Sequence, residues 1–334
     1  VWTVFGWVVV GGLAALAATS VFRISGRAGI AIAQDALLYL LALAWVVLVI
    51  ALLGHSWVLA GAAALLVAYQ LVLLISRLTA RRVPRWVQGA PRLELVVANV
   101  FIDNETPAAL ARVLLDRGGD LMVLPEWNPA FVREFDAAGG REAYPHRVFD
   151  PADTSDYAVG IVSKLPLLPG SNVFTVGPLK LTQAVVEVGG QPVTIIGLNP
   201  MAAVDPGGFE AWEKQMDALI GYVPSVDGPL VVLGDLNTTT FRPKVQELLD
   251  AGLSDAHESL GQGLSTSFKL SADGVLAAPG AVVRLDHALL SDGVRAISTE
   301  DLDSGGSDHV PFVVTLAIRS SDRPPAQRHH DSAS

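Results

Sequence analysis

Seven polar side chains in this sequence of 334 residues stand at the ends of apolar runs, and together they have the makings of a metal-assisted hydrolytic centre. Asn99 closes Leu-Val-Val-Ala-Asn, and Glu126 closes Met-Val-Leu-Pro-Glu. Asp235 and Asn237 close Val-Val-Leu-Gly-Asp-Leu-Asn. Asp286 stands in Arg-Leu-Asp-His, and Asp308 and His309 stand in Gly-Gly-Ser-Asp-His-Val-Pro. Oxygen donors without sulfur suit Mg²⁺ or Mn²⁺ rather than zinc. The chain has no cysteine, which excludes a disulfide framework, a thiolate zinc site and a cysteine nucleophile. Carboxylates, amides and one histidine suit hydrolysis of a phosphate ester. A cation neutralises phosphate charge, a base activates water, and amides hold the oxygens. Taken singly, each of these residues is an ordinary turn former. The signal lies in the order of five such elements.

Such residues need strands and loops to bring them together. Strand-like runs cover 93–100, 120–125, 157–163, 182–188, 193–198, 230–234, 282–290 and 310–318. Helix-like runs cover 107–116, 129–138, 209–222 and 243–251. Thr106-Pro107 has the form of a helix start, with threonine as cap and proline in the first turn. Short apolar strands mixed with amphipathic helices predict a layered α/β (α+β) domain, with its site at strand ends. His287 follows Asp286 and, on a regular strand, faces the opposite way as a structural residue. His146 and His257 belong to no motif and read as solvated. Lys164 reads as a solvated strand-end lysine, with a phosphate contact as the alternative. Phe268, in Ser-Thr-Ser-Phe, reads as packing or as cleft lining. No nucleophile elbow surrounds Ser163 or Ser307, so neither heads a hydrolase triad.

Composition divides the chain. Its first 90 residues hold six arginines against one acid, Asp35, whereas the remainder holds 17 bases against 32 acids, a net −15. With 51% hydrophobic residues, a disordered chain is excluded. Residues 1–22 and 36–76 contain no Asp, Glu, Lys or Arg. A bilayer-spanning helix needs roughly 20 apolar residues. We therefore expect three transmembrane spans near 2–22, 30–53 and 57–76, with Gln34 and Asp35 at headgroup level. The expected organisation is an anchor over 1–76, a basic linker over 77–91 suited to anionic headgroups, a catalytic domain over 92–318 and a disordered tail over 319–334. The loop bearing Arg23 and Arg27 and the segment from Arg77 are both basic, which places the C-terminal domain in the cytoplasm. A basic cluster ahead of Val1 would reverse that. Spans with almost no internal polar residues offer a transporter no pathway.

From about 93 to 318 the chain resembles the endonuclease/exonuclease/phosphatase (DNase I-like) superfamily, which includes nucleases, neutral sphingomyelinases and inositol polyphosphate phosphatases. The matching strings are Ala98-Asn99, Leu124-Pro125-Glu126, Gly160-Ile161-Val162-Ser163, Gly234-Asp235-Leu236-Asn237, Arg284-Leu285-Asp286-His287 and Ser307-Asp308-His309-Val310-Pro311. With three apolar spans ahead, it is similar to membrane-anchored bacterial members. The resemblance implies a four-layer α/β/β/α sandwich and a divalent-metal phosphohydrolase. By position, Glu126 would ligate Mg²⁺ (or Mn²⁺), with Asn99 beside it and Asp308 nearby. Asp235 would orient or deprotonate the attacking water, and Asn237 would hold a phosphate oxygen. His309, paired with Asp286, would act at the scissile phosphate as base or as stabiliser of charge. Many relatives carry histidine after the strand that here covers 193–198. This chain has Asn199 there, which can bind phosphate but cannot donate a proton to a leaving group at neutral pH.

The acidic balance disfavours duplex DNA, because nucleic-acid binding leans on basic surface and no Lys/Arg run with interleaved aromatics follows residue 92. Tethering at a bilayer raises the local concentration of lipid headgroups. The expected partners are the bilayer and a phosphoester substrate: a lipid headgroup, a nucleic acid or a small ester. No protein partner is implied. The expected function is a membrane-anchored, divalent-metal-dependent phosphoesterase. The alternative, favoured by Asn199, is a catalytically impaired binding or scaffold module of the same fold.

Overall fold

The computed structural model describes residues 2–269 and 280–320, so most of the expected disordered tail lies outside the described residues. The apolar third forms α1 (Trp2–Val21), α2 (Ala28–Asp35), α3 (Leu37–Leu41), α4 (Leu43–Leu53) and α5 (Trp57–Leu78). Helices α1 and α5 are long and apolar enough to cross a membrane. The expected middle span is broken: α2 meets the run that follows at 72°. The break falls beside Asp35, whose carboxylate turns out of the helices toward Thr238, Thr239 and Arg242. Small and branched residues (Leu37, Ala44, Ala51, Leu59, Ala63) fill the space between the helices. The few polar groups there are bonded. Gln70 donates to the Leu38 carbonyl at 2.8 Å and accepts from Trp45 Nε1 at 2.8 Å. Gln34 is buried and donates to Thr19 Oγ1 and the Ile24 carbonyl.

The rest builds two six-stranded sheets. The first comprises β1 (Arg92–Val97), β2 (Leu121–Pro125), β3 (His146–Val148), β4 (Val159–Ser163), β13 (Val294–Asp301) and β14 (Phe312–Ile318), ordered β13-β14-β1-β2-β4-β3. The second comprises β5 (Asn172–Val176), β6 (Leu179–Val188), β7 (Gln191–Leu198), β8 (Leu230–Asp235), β9 (Ser254–Asp255) and β12 (Asp286–Leu290), ordered β5-β6-β7-β8-β12-β9. A small pair, β10 (Phe268–Lys269) and β11 (Ala281–Val283), stands apart. Inner strands are buried along their length, as Val231, Val232 and Leu233 are on β8, which is why they read as unbroken apolar runs.

Apolar side chains of both sheets, among them Leu95, Val123, Ile195, Leu233 and Phe312, meet in one central layer. Burying each such side chain stabilises the fold by about 1.5–3 kcal/mol. Helices α6 (Pro107–Arg117), α7 (Pro129–Ala137) and α8 (Gly140–Ala143) cover the outer face of the first sheet. Helices α9 (Pro206–Tyr222) and α10 (Pro243–Asp250) cover the second, and α11 (Ala256–Ser259) follows β9. The result is an α/β/β/α sandwich. Helices α6, α7, α9 and α10 each open with proline, whose missing N–H has no helical partner to lose. Asn128 caps α7, and Asp205 caps α9.

Two expectations change. The strand expected over 282–290 is interrupted, because Arg284 turns inward to Asp255 and Ser265 while Leu285 N and Asp286 N both donate to Ser267 Oγ. The stretch from Arg77, expected as a basic linker, packs on the domain: the Arg77 guanidinium lies 4.0 Å from the Phe241 ring, and Pro91 O accepts from Ile318 N.

Candidate active site

Strand direction explains where the polar residues gather. Strands β1 and β2 are parallel, as are β7 and β8, so their C-terminal ends share one edge of the sandwich. Asn99, Glu126, Asn199 and Asp235 lie at those ends. Strands β12 and β14 run antiparallel to β8 and β1, so they reach the same edge by their N-terminal ends, bringing Asp286 and His309. Asp286 is registered opposite Asp235. Gly234, at φ 138°, sits where a Cβ would fall 2.1 Å from the Leu198 carbonyl oxygen. Only glycine allows β8 to approach β7 so closely just before Asp235.

On one side, Asn99 Nδ2 donates to Glu126 Oε1 at 2.8 Å and to Asp235 Oδ2 at 3.2 Å. Ile102 N donates to Glu126 Oε2 at 2.7 Å. Glu126 itself is held at φ 60°. Burial pushes the Glu126 carboxyl above its usual range, and the charge of Asp308 adds to this. Burial raises Asp308 as well, and its Oδ1 is buried without a hydrogen-bond partner among the described residues. A desolvated carboxylate oxygen with no donor, beside a second acid, is a costly arrangement for the protein alone. It is the arrangement that a hard cation relieves, so Glu126 and Asp308 fit Mg²⁺ or Mn²⁺, whereas Asn99, expected as a ligand, turns its Nδ2 to the acids and its Oδ1 to Phe101 N and so orients Glu126 instead.

On the other side His309 is held between two acids, and Asp286 Oδ1, like Asp308 Oδ1, is buried without a hydrogen-bond partner among the described residues. His309 Nδ1 lies 2.6 Å from Asp286 Oδ2, and its Nε2 lies 3.5 Å from Asp235 Oδ2. Burial works against charge on His309, but Asp286, Asp235 and Asp308 outweigh it and push the imidazole up to about 10. Burial opposes charge on Asp286 too, yet the attraction of His309 holds it below the usual carboxylate range. Burial pushes Asp235 up to about 6 against the pull of His309. Asp235, Asp286 and His309 have ligand atoms within 4.8 Å of one another, and the imidazolium offsets one of the two carboxylate charges there.

Asn237 adopts φ 52°, in a region that costs a residue other than glycine of order 1–3 kcal/mol. Its N–H donates to Asp235 Oδ1 at 2.7 Å, and its side chain donates to Pro200 O at 2.9 Å. Asn199 Nδ2 donates to the Asp156 carbonyl at 2.8 Å, so this amide also ties two site loops together. The Phe268 ring lies 5.0 Å from the imidazole of His309, walling that side of the site.

The edge thus gathers Asn99, Glu126, Asn199, Asp235, Asn237, Asp286, Asp308 and His309. Other sequence candidates lie elsewhere. His287 is buried between Asp255 and the Thr238 carbonyl, the structural place expected of it. His257 is buried, not solvated, edge-on to Phe312 at 4.7 Å. Lys164 lies over Tyr144 at the far end of β4, away from the phosphate role weighed for it. Supporting residues carried no signal of their own. Ser307 Oγ donates to the Asn99 carbonyl and accepts from His309 N, so one hydroxyl joins the two sides.

A family model for the Endonuclease/Exonuclease/phosphatase family matches residues 96–309, spanning every one of these side chains. The chain belongs to this family. Endonuclease/exonuclease/phosphatase proteins are generally hydrolases of phosphoesters. Solved structures of the family's fold cover about two thirds of the chain. D. rerio TDP2 complexed with a single-strand DNA product is 20% identical, with a TM-score of 0.55, and the match covers 68% of this chain and 99% of that one. Sphingomyelinase C from Streptomyces griseocarneus is 17% identical, with a TM-score of 0.50, over 67% and 99%. An endonuclease/exonuclease/phosphatase from Beutenbergia cavernae is 17% identical, with a TM-score of 0.53, over 68% and 72%. At these identities the likeness is one of fold. No curated protein matches in sequence.

Proposed function

We propose that this chain is a membrane-embedded, divalent-metal-dependent phosphodiesterase acting on a phosphoester presented at the bilayer, such as a lipid headgroup. The observation that carries this is the gathering at one edge of Glu126 and Asp308, the latter with a buried oxygen unpartnered among the described residues, beside Asp235 and the Asp286–His309 pair. Glu126, oriented by Asn99, and Asp308 would hold Mg²⁺ (or Mn²⁺), which when bound neutralises phosphate charge and polarises the phosphorus centre. Asp235, fixed by Asn99 and the Asn237 N–H, orients the attacking water and receives its proton. His309, its Nδ1 bound to Asp286, directs its Nε2 to the reacting edge and steadies charge developing on the phosphoryl oxygens. Asn237 and Asn199 hold substrate oxygens. Helices α1 and α5, and the bent α2–α4 run, supply the spans, and the basic loops of the sequence put the catalytic domain on the cytoplasmic side.

The net −15 of residues 91–334 supports a lipid or small phosphoester over nucleic acid. The test is a substrate panel on the full-length protein in detergent: phospholipid and sphingomyelin vesicles, a single-stranded oligonucleotide and bis-p-nitrophenyl phosphate, each with Mg²⁺ or EDTA. Hydrolysis that needs the metal and favours the lipid or small ester supports the proposal. Metal binding without turnover on any substrate overturns it in favour of a scaffold role.

A further inference from the structure

Asp35 is the one acid among the first 90 residues, and its carboxylate is spent on the domain rather than on the bilayer helices. Its Oδ1 accepts from Thr238 Oγ1 at 3.1 Å, Thr239 N at 2.9 Å and Thr239 Oγ1 at 3.0 Å. Its Oδ2 accepts from Arg242 Nε at 2.8 Å and also from Arg242 Nη2. These donors follow Asn237 directly in the chain. The same turn is gripped elsewhere: Trp212 Nε1 donates to the Leu236 carbonyl at 2.9 Å, and His287 Nε2 meets the Thr238 carbonyl at 2.9 Å. Arg242 closes the ring by lying 4.8 Å over Trp212.

Asn237 sits inside this frame in left-handed backbone geometry, which persists only where the surroundings over-determine it. Three of the holds, Trp212, His287 and Arg242, come from the domain itself. The acceptor for the Thr239 N–H comes from the end of α2, about 200 residues away in sequence. A buried amide N–H that loses its acceptor is costly, so the turn that carries it is driven to shift toward another partner or water.

We propose that Asp35 is a positioning residue for the reaction: through it the apolar helices hold the Asp235–Asn237 turn in working geometry. This rests on the phosphodiesterase function proposed above. It makes the helices part of the catalytic unit rather than a tether. A site held this way loses rate when its frame shifts by an ångström, without losing its ligands.

The experiment uses full-length protein in detergent with Mg²⁺ and bis-p-nitrophenyl phosphate. Asp35→Ala alone leaves the buried Arg242 cation without its partner and risks misfolding, so the comparison is between two double variants. Asp35→Ala/Arg242→Met lacks both the ion pair and the Thr239 acceptor. Asp35→Asn/Arg242→Met lacks the ion pair but returns an acceptor oxygen. The first should lose about 10–100-fold in kcat, with KM changed less than about threefold. The second should recover most of that rate. Hydrogen exchange at the Thr239 amide should rise at least tenfold in the first and stay slow in the second. Equal kcat in both doubles, with unchanged exchange at Thr239, overturns the role of Asp35. If Asn237→Ala still abolishes turnover in that case, the phosphodiesterase function stands. No turnover by the wild type overturns that function, and this inference with it.

Discussion

The apolar helices and the α/β sandwich treat buried polar groups in opposite ways. The sandwich groups them in clusters, one at the site edge, where Asn99, Glu126, Asp235, Asp286 and His309 bond mainly to one another, and one around Asp255, Arg284 and His287. The helices scatter theirs, and each works as a joint. Gln70 joins Trp45 to the Leu38 carbonyl, Gln34 joins Thr19 to the Ile24 carbonyl, and Asp35 and Arg77 reach into the domain. The difference teaches where function and where assembly reside. Clustered polar groups can hold charge in a reaction, whereas isolated ones in apolar surroundings each specify a single contact.

The sharpest way to break this comparison is at the cluster. Asp235→Asn should lower kcat by about 10³-fold or more while circular dichroism and the melting temperature stay near wild type, and His309→Ala should lose as much rate with the fold kept but the melting temperature lowered, because it strands the buried Asp286 carboxylate. Loss of fold instead would show that these groups serve structure, like the joints. Removing divalent metal with EDTA should abolish turnover and lower the melting temperature by a few degrees, because Glu126 and Asp308 would then face each other without a cation. Unchanged melting with and without Mg²⁺ would remove the metal from that position.

The joints should show the reverse signature. Arg242 is almost fully buried, and Arg242→Met leaves Asp35 unpaired, a change that typically costs about 3–5 kcal/mol. Asp35→Asn/Arg242→Met should recover most of it in chemical unfolding. A smaller effect follows from pH. Burial holds His257 down to about 3, below its ordinary value of 6.5, so the unfolded chain binds the extra proton between those values. Stability is therefore full above about pH 6.5 and falls by about 1.4 kcal/mol per pH unit on acidification toward pH 3. His257→Asn should flatten that slope. Asp255, held low by Arg284 and His287 despite its burial, adds its own loss only once the pH passes below the ordinary carboxylate range. The smallest effect is expected at Gln70→Leu, about 1 kcal/mol in detergent, from the stranded Trp45 N–H and Leu38 carbonyl.

Much of the sandwich was legible because its inner strands are buried on both faces and so appear as apolar runs with polar ends. Strand β8 and its Asp235 are the clearest case. Edge strands were not. Strand β13 ends in Ser-Thr-Glu-Asp, and β5 is half exposed, so neither carries enough apolar residues to stand out. The site residues were legible as types and in order, but their division of labour was not. That Asp286 is bound to His309 while Asp308 acts on Glu126 depends on distances, and both residues look alike in a string.

By itself, the sequence determined that a greasy third precedes an acidic α/β domain, and that acids, amides and one histidine stand at strand ends. Both follow from local composition and from periodicity, which a chain carries whatever its fold. Only the tertiary structure decided that Asp35 leaves its helix for Arg242, that His257 is buried, and that the segment after Arg77 packs on the domain. Those outcomes depend on which buried group finds a partner, and each partner lies far along the chain, beyond the reach of any local pattern.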